Sequence, residues 1–162
     1  MAMERPLLRV RRARPEEAEA LSALIQRSKA HWDYAPALLD AWRAELTLAA
    51  DDIARESVFC AKDAVSGDVV GVLHLVRHDD DVAYLDHLYV EPAAMGRGVG
   101  ALLWRHALEQ AAAWGARALE LDADPNARPF YERMGAAIVG WTESAIVPGR
   151  RLPRMRYDLS RR

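Results

Sequence analysis

The residues best suited to chemistry gather in one stretch. From Leu85 to Leu103 the chain reads LDHLYVEPAAMGRGVGALL, with Gly96, Gly98 and Gly100 at alternate positions and Arg97 between the first two. Glycine lets a backbone take positive φ and approach a ligand closely. A helix beginning just after such a turn offers unpaired N–H groups and the positive end of its dipole, which together hold a phosphate or pyrophosphate. Upstream of the glycines stand Asp86, His87 and Glu91, three side chains able to take a proton. Downstream stand Asn126, Phe130 and Tyr131, the last a phenol able to donate one. Each group also has a plain structural reading. Gly-x-Gly alone suits a ligand-free turn, the carboxylates and His87 suit a solvated face, and Tyr131 suits a packed aromatic beside Phe130.

Regular elements must position these groups. Leu7–Ala13 alternates apolar and basic residues and predicts a first strand. Pro15-Glu16-Glu17 opens a helix with proline in its first turn and acids at the positive end. A second helix is expected with Leu39, Trp42, Leu46 and Ala49 on one face. Strands follow at Val58–Ala61, Val69–Val76 and Ala83–Val90, with Asp79-Asp80-Asp81 as a solvated hairpin tip. A long helix through Val99, Leu102, Leu103, Ala107 and Ala111 stops near Gly115. Then come a strand at Ala118–Asp122, a short helix ending at Gly135, and strands at Ala137–Trp141 and Met155–Leu159. The order is β-α-α-β-β-β-α-β-α-β-β, an α/β (α+β) domain with a mixed sheet of about seven strands and about four flanking helices.

Composition narrows the partners. The 162 residues are enough for one domain with a real core, and residues 1–162 read as one. A net charge of −2, without a basic run outside the C-terminal tail, gives no sign of nucleic-acid binding. No apolar stretch is long enough to span a bilayer, and the basic segment Met1–Arg12 lacks the apolar core of a signal peptide, so a cytoplasmic location is expected. The single cysteine, Cys60, excludes an intrachain disulfide and a cysteine-based zinc site. Its apolar setting reads as a buried strand thiol, and no metal is expected.

With the element order, two motifs carry a resemblance to the GCN5-related N-acetyltransferase superfamily over essentially the whole chain. The first is Met95-Gly96-Arg97-Gly98-Val99-Gly100 at a helix start. The second is Asn126-Ala127 followed by Phe130-Tyr131 and Gly135. There are two departures: Met95 stands where the family usually has Gln or Arg, and Ala136 where an aromatic is common.

The resemblance implies a splayed sheet and an acetyl-CoA cosubstrate. Met95, Gly96, Arg97, Gly98, Val99 and Gly100 would hold its pyrophosphate, the backbone of Leu88, Tyr89 and Val90 its pantetheine, and Asn126 and Phe130 would contribute from the second motif. It also implies that Tyr131 reprotonates the leaving thiolate. Asp86 is taken as the catalytic base, with His87 and Glu91 as rivals. Acceptor recognition falls to the connection after the first helix, with His31, Trp32 and Tyr34, to His87, and to the last loop, Thr142–Leu152, with Arg150. An aromatic-acidic cluster suits a cationic amine, whereas Arg150 and Arg151 suit a carboxylate; Trp32 and Tyr34 equally suit corner packing. The function implied is transfer of an acetyl group to the primary amine of a small molecule, by direct attack in a ternary complex. A protein or peptide acetyltransferase and a non-catalytic coenzyme A sensor are the alternatives, and a homodimer is possible.

Overall fold

A computed structural model describes residues 7–78 and 81–159. Met1–Pro6, Asp79 and Asp80 lie outside them, and with them most of the expected acidic hairpin tip and half of the basic N-terminal segment. The elements are β1 (Leu8–Arg12), α1 (Ala18–Ala30, entered by a 3₁₀ turn over Pro15–Glu17), α2 (Pro36–Ala41), α3 (Ala50–Arg55), β2 (Ser57–Asp63), β3 (Val69–Arg77), β4 (Val82–Val90), α4 (Val99–Ala113), β5 (Ala118–Asp122), α5 (Arg128–Arg133), β6 (Ala137–Glu143) and β7 (Arg151–Asp158). They form a mixed α/β fold whose seven strands run in the order β1-β2-β3-β4-β5-β7-β6.

Five helices stand where about four were expected, and the difference lies between β1 and β2. The expected face of Leu39, Trp42, Leu46 and Ala49 does not form one helix. Trp42 caps α2, Leu46 N–H bonds to the Trp42 carbonyl at 3.0 Å, and a separate α3 begins at Ala50. The physical reason is the burial of both Leu46 and Leu48, at 4% and 3% exposure. Residues two apart point to opposite sides of a helix, so both cannot enter one core from it. The extended chain at Leu48 is tied down instead by its N–H bond to Ser22 Oγ on α1, at 2.9 Å.

β7 also starts earlier than its apolar pattern suggests. It takes in Pro153, which cannot donate to the ladder, but whose carbonyl accepts from Ala123 N–H at 2.9 Å. The last loop is therefore shorter than expected, residues 144–150.

The chain divides into two compact units. One holds the residues up to His74 together with His87–Leu103; the other holds Leu75–Asp86 and everything from Trp104 onward. In the first, Leu21, Leu24, Ile25, Trp42, Ile53, Val58, Cys60 and Val72 are buried. Burial pushes the Cys60 thiol above its ordinary pKa, as a core thiol requires. In the second, Trp104, Ala107, Leu119, Leu121 and Met155 are buried. There β4 and β5 pair in parallel from Val82↔Ala118 to Tyr84↔Glu120, where the ladder ends.

Candidate active site

The glycine loop belongs to the first unit. Gly96 and Gly98 have φ of +81° and +84°, a region that side chains strain to enter. Space is not the constraint, because an added Cβ at either would meet nothing within 4 Å. The loop then runs straight into α4, whose first closing bond is Leu102 N–H to the Gly98 carbonyl at 3.0 Å. The preceding amides are the ones a helix leaves unpaired. The start of α4 is seated by a third glycine on β3: a Cβ at Gly71 would lie 2.8 Å from both Val99 Cγ1 and Leu103 Cδ1. A methyl group there would force the Val99 and Leu103 side chains to shift.

Around the loop, Met95 and Gly100 are half-buried, Val99 is buried and Arg97 is exposed. No ion pair among the described residues involves Arg97. It stands at the edge of a cavity of about 680 Å³, with Arg27, Glu91, Glu17 and the turn Ser66–Asp68 on the walls and Leu21 and Leu24 among its apolar lining. Glu91, one rival for the base, is engaged. Arg27 grips its carboxylate with two bonds of 2.9 and 2.6 Å.

On β4 the buried side chains are Ala83, Leu85 and His87, whereas Asp86 is exposed and Leu88, Tyr89 and Val90 are half-buried. His87 is tied in at both nitrogens. Nε2 lies 2.8 Å from the Glu45 carbonyl, and Nδ1 lies 3.2 Å from Nδ1 of His74 on β3. The far nitrogen of His74 meets the Glu56 carboxylate. Sequence reading placed His87 on the acceptor and among the rivals for the base, apart from His74. It had no reason to join them or to include Glu56.

The last turn of α1 holds a residue that sequence reading passed over. Lys29 is buried at 8% exposure, with its Nζ 5.2 Å from the centre of the Tyr34 ring and 4.8 Å from that of Trp42. The two rings meet edge to face at 4.8 Å. The signal was available: Lys29 lies four residues after Ile25, on the apolar stripe of α1. Trp32 is 41% exposed and touches His31 edge-on at 5.6 Å. Asp33 turns the chain with φ of +61°.

In the second unit, Asn126 is exposed. Its N–H is capped by Asp124 Oδ1 at 2.8 Å, which starts the 3₁₀ turn before α5. Phe130 and Tyr131 sit on α5 with ring centres 5.1 Å apart. Tyr131 is buried and faces the Trp104 ring edge-on at 5.6 Å. Arg150 pairs with Asp124 at 3.7 Å, so this guanidinium has a carboxylate from its own chain beside it. Arg151 lies over Trp141 at 5.5 Å. A further polar group was invisible in sequence. Asp122 accepts from Tyr84 Oη and from Thr142 Oγ1, each at 2.6 Å, joining residues 38 and 20 positions apart.

A mixed seven-stranded sheet, a glycine turn opening the helix after β4, and an Asn…Phe-Tyr helix after β5 define an acetyltransferase of the GNAT type. Residues 21–136 match the acetyltransferase (GNAT) family, and the chain belongs to it. A curated relative, the peptidyl-lysine N-acetyltransferase YjaB of Salmonella typhimurium, is 30% identical over 85% of this chain and 88% of its own. Among solved structures, a GCN5-related N-acetyltransferase from Rhodopseudomonas palustris is 28% identical, with a TM-score of 0.73 over 98% of both chains. The PaiA N-acetyltransferase of Thermoplasma acidophilum, solved with coenzyme A, shares the fold at 17% identity. Its TM-score is 0.76 over 94% of this chain and 99% of its own.

Proposed function

We propose that this acetyltransferase moves the acetyl group of acetyl-CoA to the primary amine of a small molecule, by direct attack within a ternary complex. The observation that carries the cosubstrate is the backbone at Gly96 and Gly98, held at positive φ immediately before a fifteen-residue helix. That geometry turns successive N–H groups toward an anion, which suits a pyrophosphate. Family membership and the coenzyme A bound by the Thermoplasma relative support the same reading.

In this reading, residues 95–100 take the pyrophosphate and the strand edge at Leu88–Val90 takes the pantetheine. Asn126 and Phe130 complete the cosubstrate site. Tyr131 donates a proton to the departing thiolate. That demand is modest, because a thiolate whose thiol has a pKa of about 8.5 leaves readily. Holding both reactants together can supply on the order of 7–11 kcal/mol of the barrier.

The acceptor side rests on His31, Trp32, Tyr34, His87 and Arg150. The faces of Tyr34 and Trp42 already carry Lys29, so this aromatic pair is not an open cage for an acceptor's ammonium. An acceptor's ammonium, on a small molecule or on a lysine, is then held by other contacts. The second reading, a peptidyl-lysine acceptor, is favoured by the activity named for the Salmonella relative.

The test has two stages. Acetyl-CoA should raise the melting temperature, and Gly98→Val should abolish the rise while the protein stays folded by circular dichroism. Tyr131→Phe should then slow thiol release and keep the rise. An unchanged melting temperature with acetyl-CoA removes the cosubstrate assignment, and unchanged turnover in Tyr131→Phe removes the acid.

A further inference from the structure

His87, His74 and Glu56 form a continuous chain whose hydrogen bonds fix its proton count. The Glu45 carbonyl can only accept, so His87 Nε2 carries the proton of the 2.8 Å bond. The Glu56 carboxylate accepts in the same way from His74 Nε2. These two bonds use the only N–H protons of two neutral imidazoles. Yet the inner Nδ1 atoms stand 3.2 Å apart. The rings are within 11° of parallel, and their centres lie 5.4 Å apart, 2.2 Å more than the two nitrogens. That excess is close to two ring radii, so the nitrogens point head-on. Two bare lone pairs so aimed would repel, and one further proton belongs between them.

We propose that this chain takes the proton of the acceptor amine, with His87 as the base and His74 and Glu56 as the outlet; the role rests on the acetyltransferase reading above. The Glu45 carbonyl marks the place at His87 Nε2 where the amine stands in the complex. With an N–H donor there instead of a carbonyl, every link is satisfied without the extra proton. The amine donates to His87 Nε2, His87 Nδ1–H donates to His74 Nδ1, and His74 Nε2–H donates to Glu56. Exchanging carbonyl for amine therefore expels one proton toward Glu56.

The exposure runs the right way, since the side chain of His74 is 4% exposed and that of Glu56 is 37%. When the ammonium's N–H bond breaks, its proton refills the chain. The freed lone pair forms the C–N bond to the acetyl carbon, the C–S bond breaks, and its electrons leave on sulfur, which takes a proton from Tyr131. The new amide nitrogen then sheds its second proton to solvent, and solvent returns one to the Tyr131 phenolate. Among the described residues the groups around the pair include Glu56 before β2, the Glu45 backbone, the Tyr89 ring at 6.0 Å from His87, and the Asp86 carboxylate, which brings an oxygen within 4.8 Å of a nitrogen of each histidine.

Nitrogen-15 NMR of the histidines in the full chain without acceptor tests the proton count. One proton shared between two Nδ1 atoms, and lost in both His74→Gln and His87→Gln, is expected. Two bare inner nitrogens, or stoichiometric zinc uptake that both variants lose, overturns it. Turnover tests the role. His87→Ala should lower kcat/KM for the acceptor by roughly 10²–10⁴-fold, and added imidazole should restore part of it. Glu56→Gln should displace the acid limb of the pH profile and leave the KM for acetyl-CoA in place. His87→Ala activity within threefold of the parent protein (an error-sized change by the same scale) overturns the role. A parent protein that fails to bind acetyl-CoA contradicts the cosubstrate reading instead, and the NMR result stands apart from it.

Discussion

Gly71 on β3 and Val99 at the head of α4 touch so closely that one added methyl would sit 2.8 Å from the valine. The contact fixes the first turn of the helix, whose amides face the glycine loop. Gly71→Ala should push the two apart and destabilise the protein by about 1–3 kcal/mol, the usual effect of overpacking a core. The same variant should show a smaller rise in melting temperature with acetyl-CoA. Denaturant titration and a thermal shift series measure both effects. A fully stable variant with unchanged acetyl-CoA response would mean that this contact does not set the loop.

Lys29 over Tyr34 and Trp42 gives a second expectation. Lys29→Met keeps the stem and removes the charge, so it should cost about 0.5–2 kcal/mol of stability, the range of a desolvated cation–π contact. If the α1–α2 connection serves the acceptor, steady-state kinetics will show the acceptor KM changed and the acetyl-CoA KM not. Equal changes in both would detach this corner from acceptor binding.

How much of this was legible beforehand varies with the range of the interactions. The strands and α4 were readable because their apolar periods are long and local, and both motifs stood in the right elements. The break after α2 was not. It depends on Leu46 and Leu48 both entering the core and on Ser22 reaching Leu48 across 26 positions. The same holds for the site. Parity on β4 separates Asp86 from His87 but does not say which is buried. Pairing His87 with His74 and Glu56 requires the register of neighbouring strands. Lys29 alone had a local signal, a charge on an apolar stripe.

Tyr84 and Asp122 should report on the second unit. Burial first, and then the hydrogen bond to Asp122, hold the Tyr84 phenol well above its ordinary value. The stability it contributes is present below the ordinary phenol range and is lost as pH rises through the elevated folded value. Tyr84→Phe removes one of the two donors to Asp122 and should cost about 1–3 kcal/mol at neutral pH. Ultraviolet titration should show one late-ionising tyrosine fewer in the variant. An identical titration would place the elevated phenol elsewhere.

Glu17 gives the acid side. Two 2.8 Å bonds from Arg11 hold its carboxyl down to about 2, against an ordinary value of 4.5. A depressed carboxyl stabilises the fold above its unfolded value, and that contribution fades as pH falls through the folded one. The difference in melting temperature between the parent protein and Glu17→Gln should therefore be widest above about pH 4.5 and close toward pH 2. A difference that stays constant across this window would separate the pair from acid stability.

In the proposed function acetyl-CoA is spent on a small amine. Thiol release should be followed with acetyl-CoA fixed, across primary amines with and without a carboxylate, and across lysine peptides of the same concentration. Mass spectrometry should identify the acetylated product. Turnover on at least one small amine should exceed that on every peptide, and His87→Ala should lose it. Turnover confined to lysine peptides, or acetyl-CoA binding with no acetylated product from any acceptor, would contradict it.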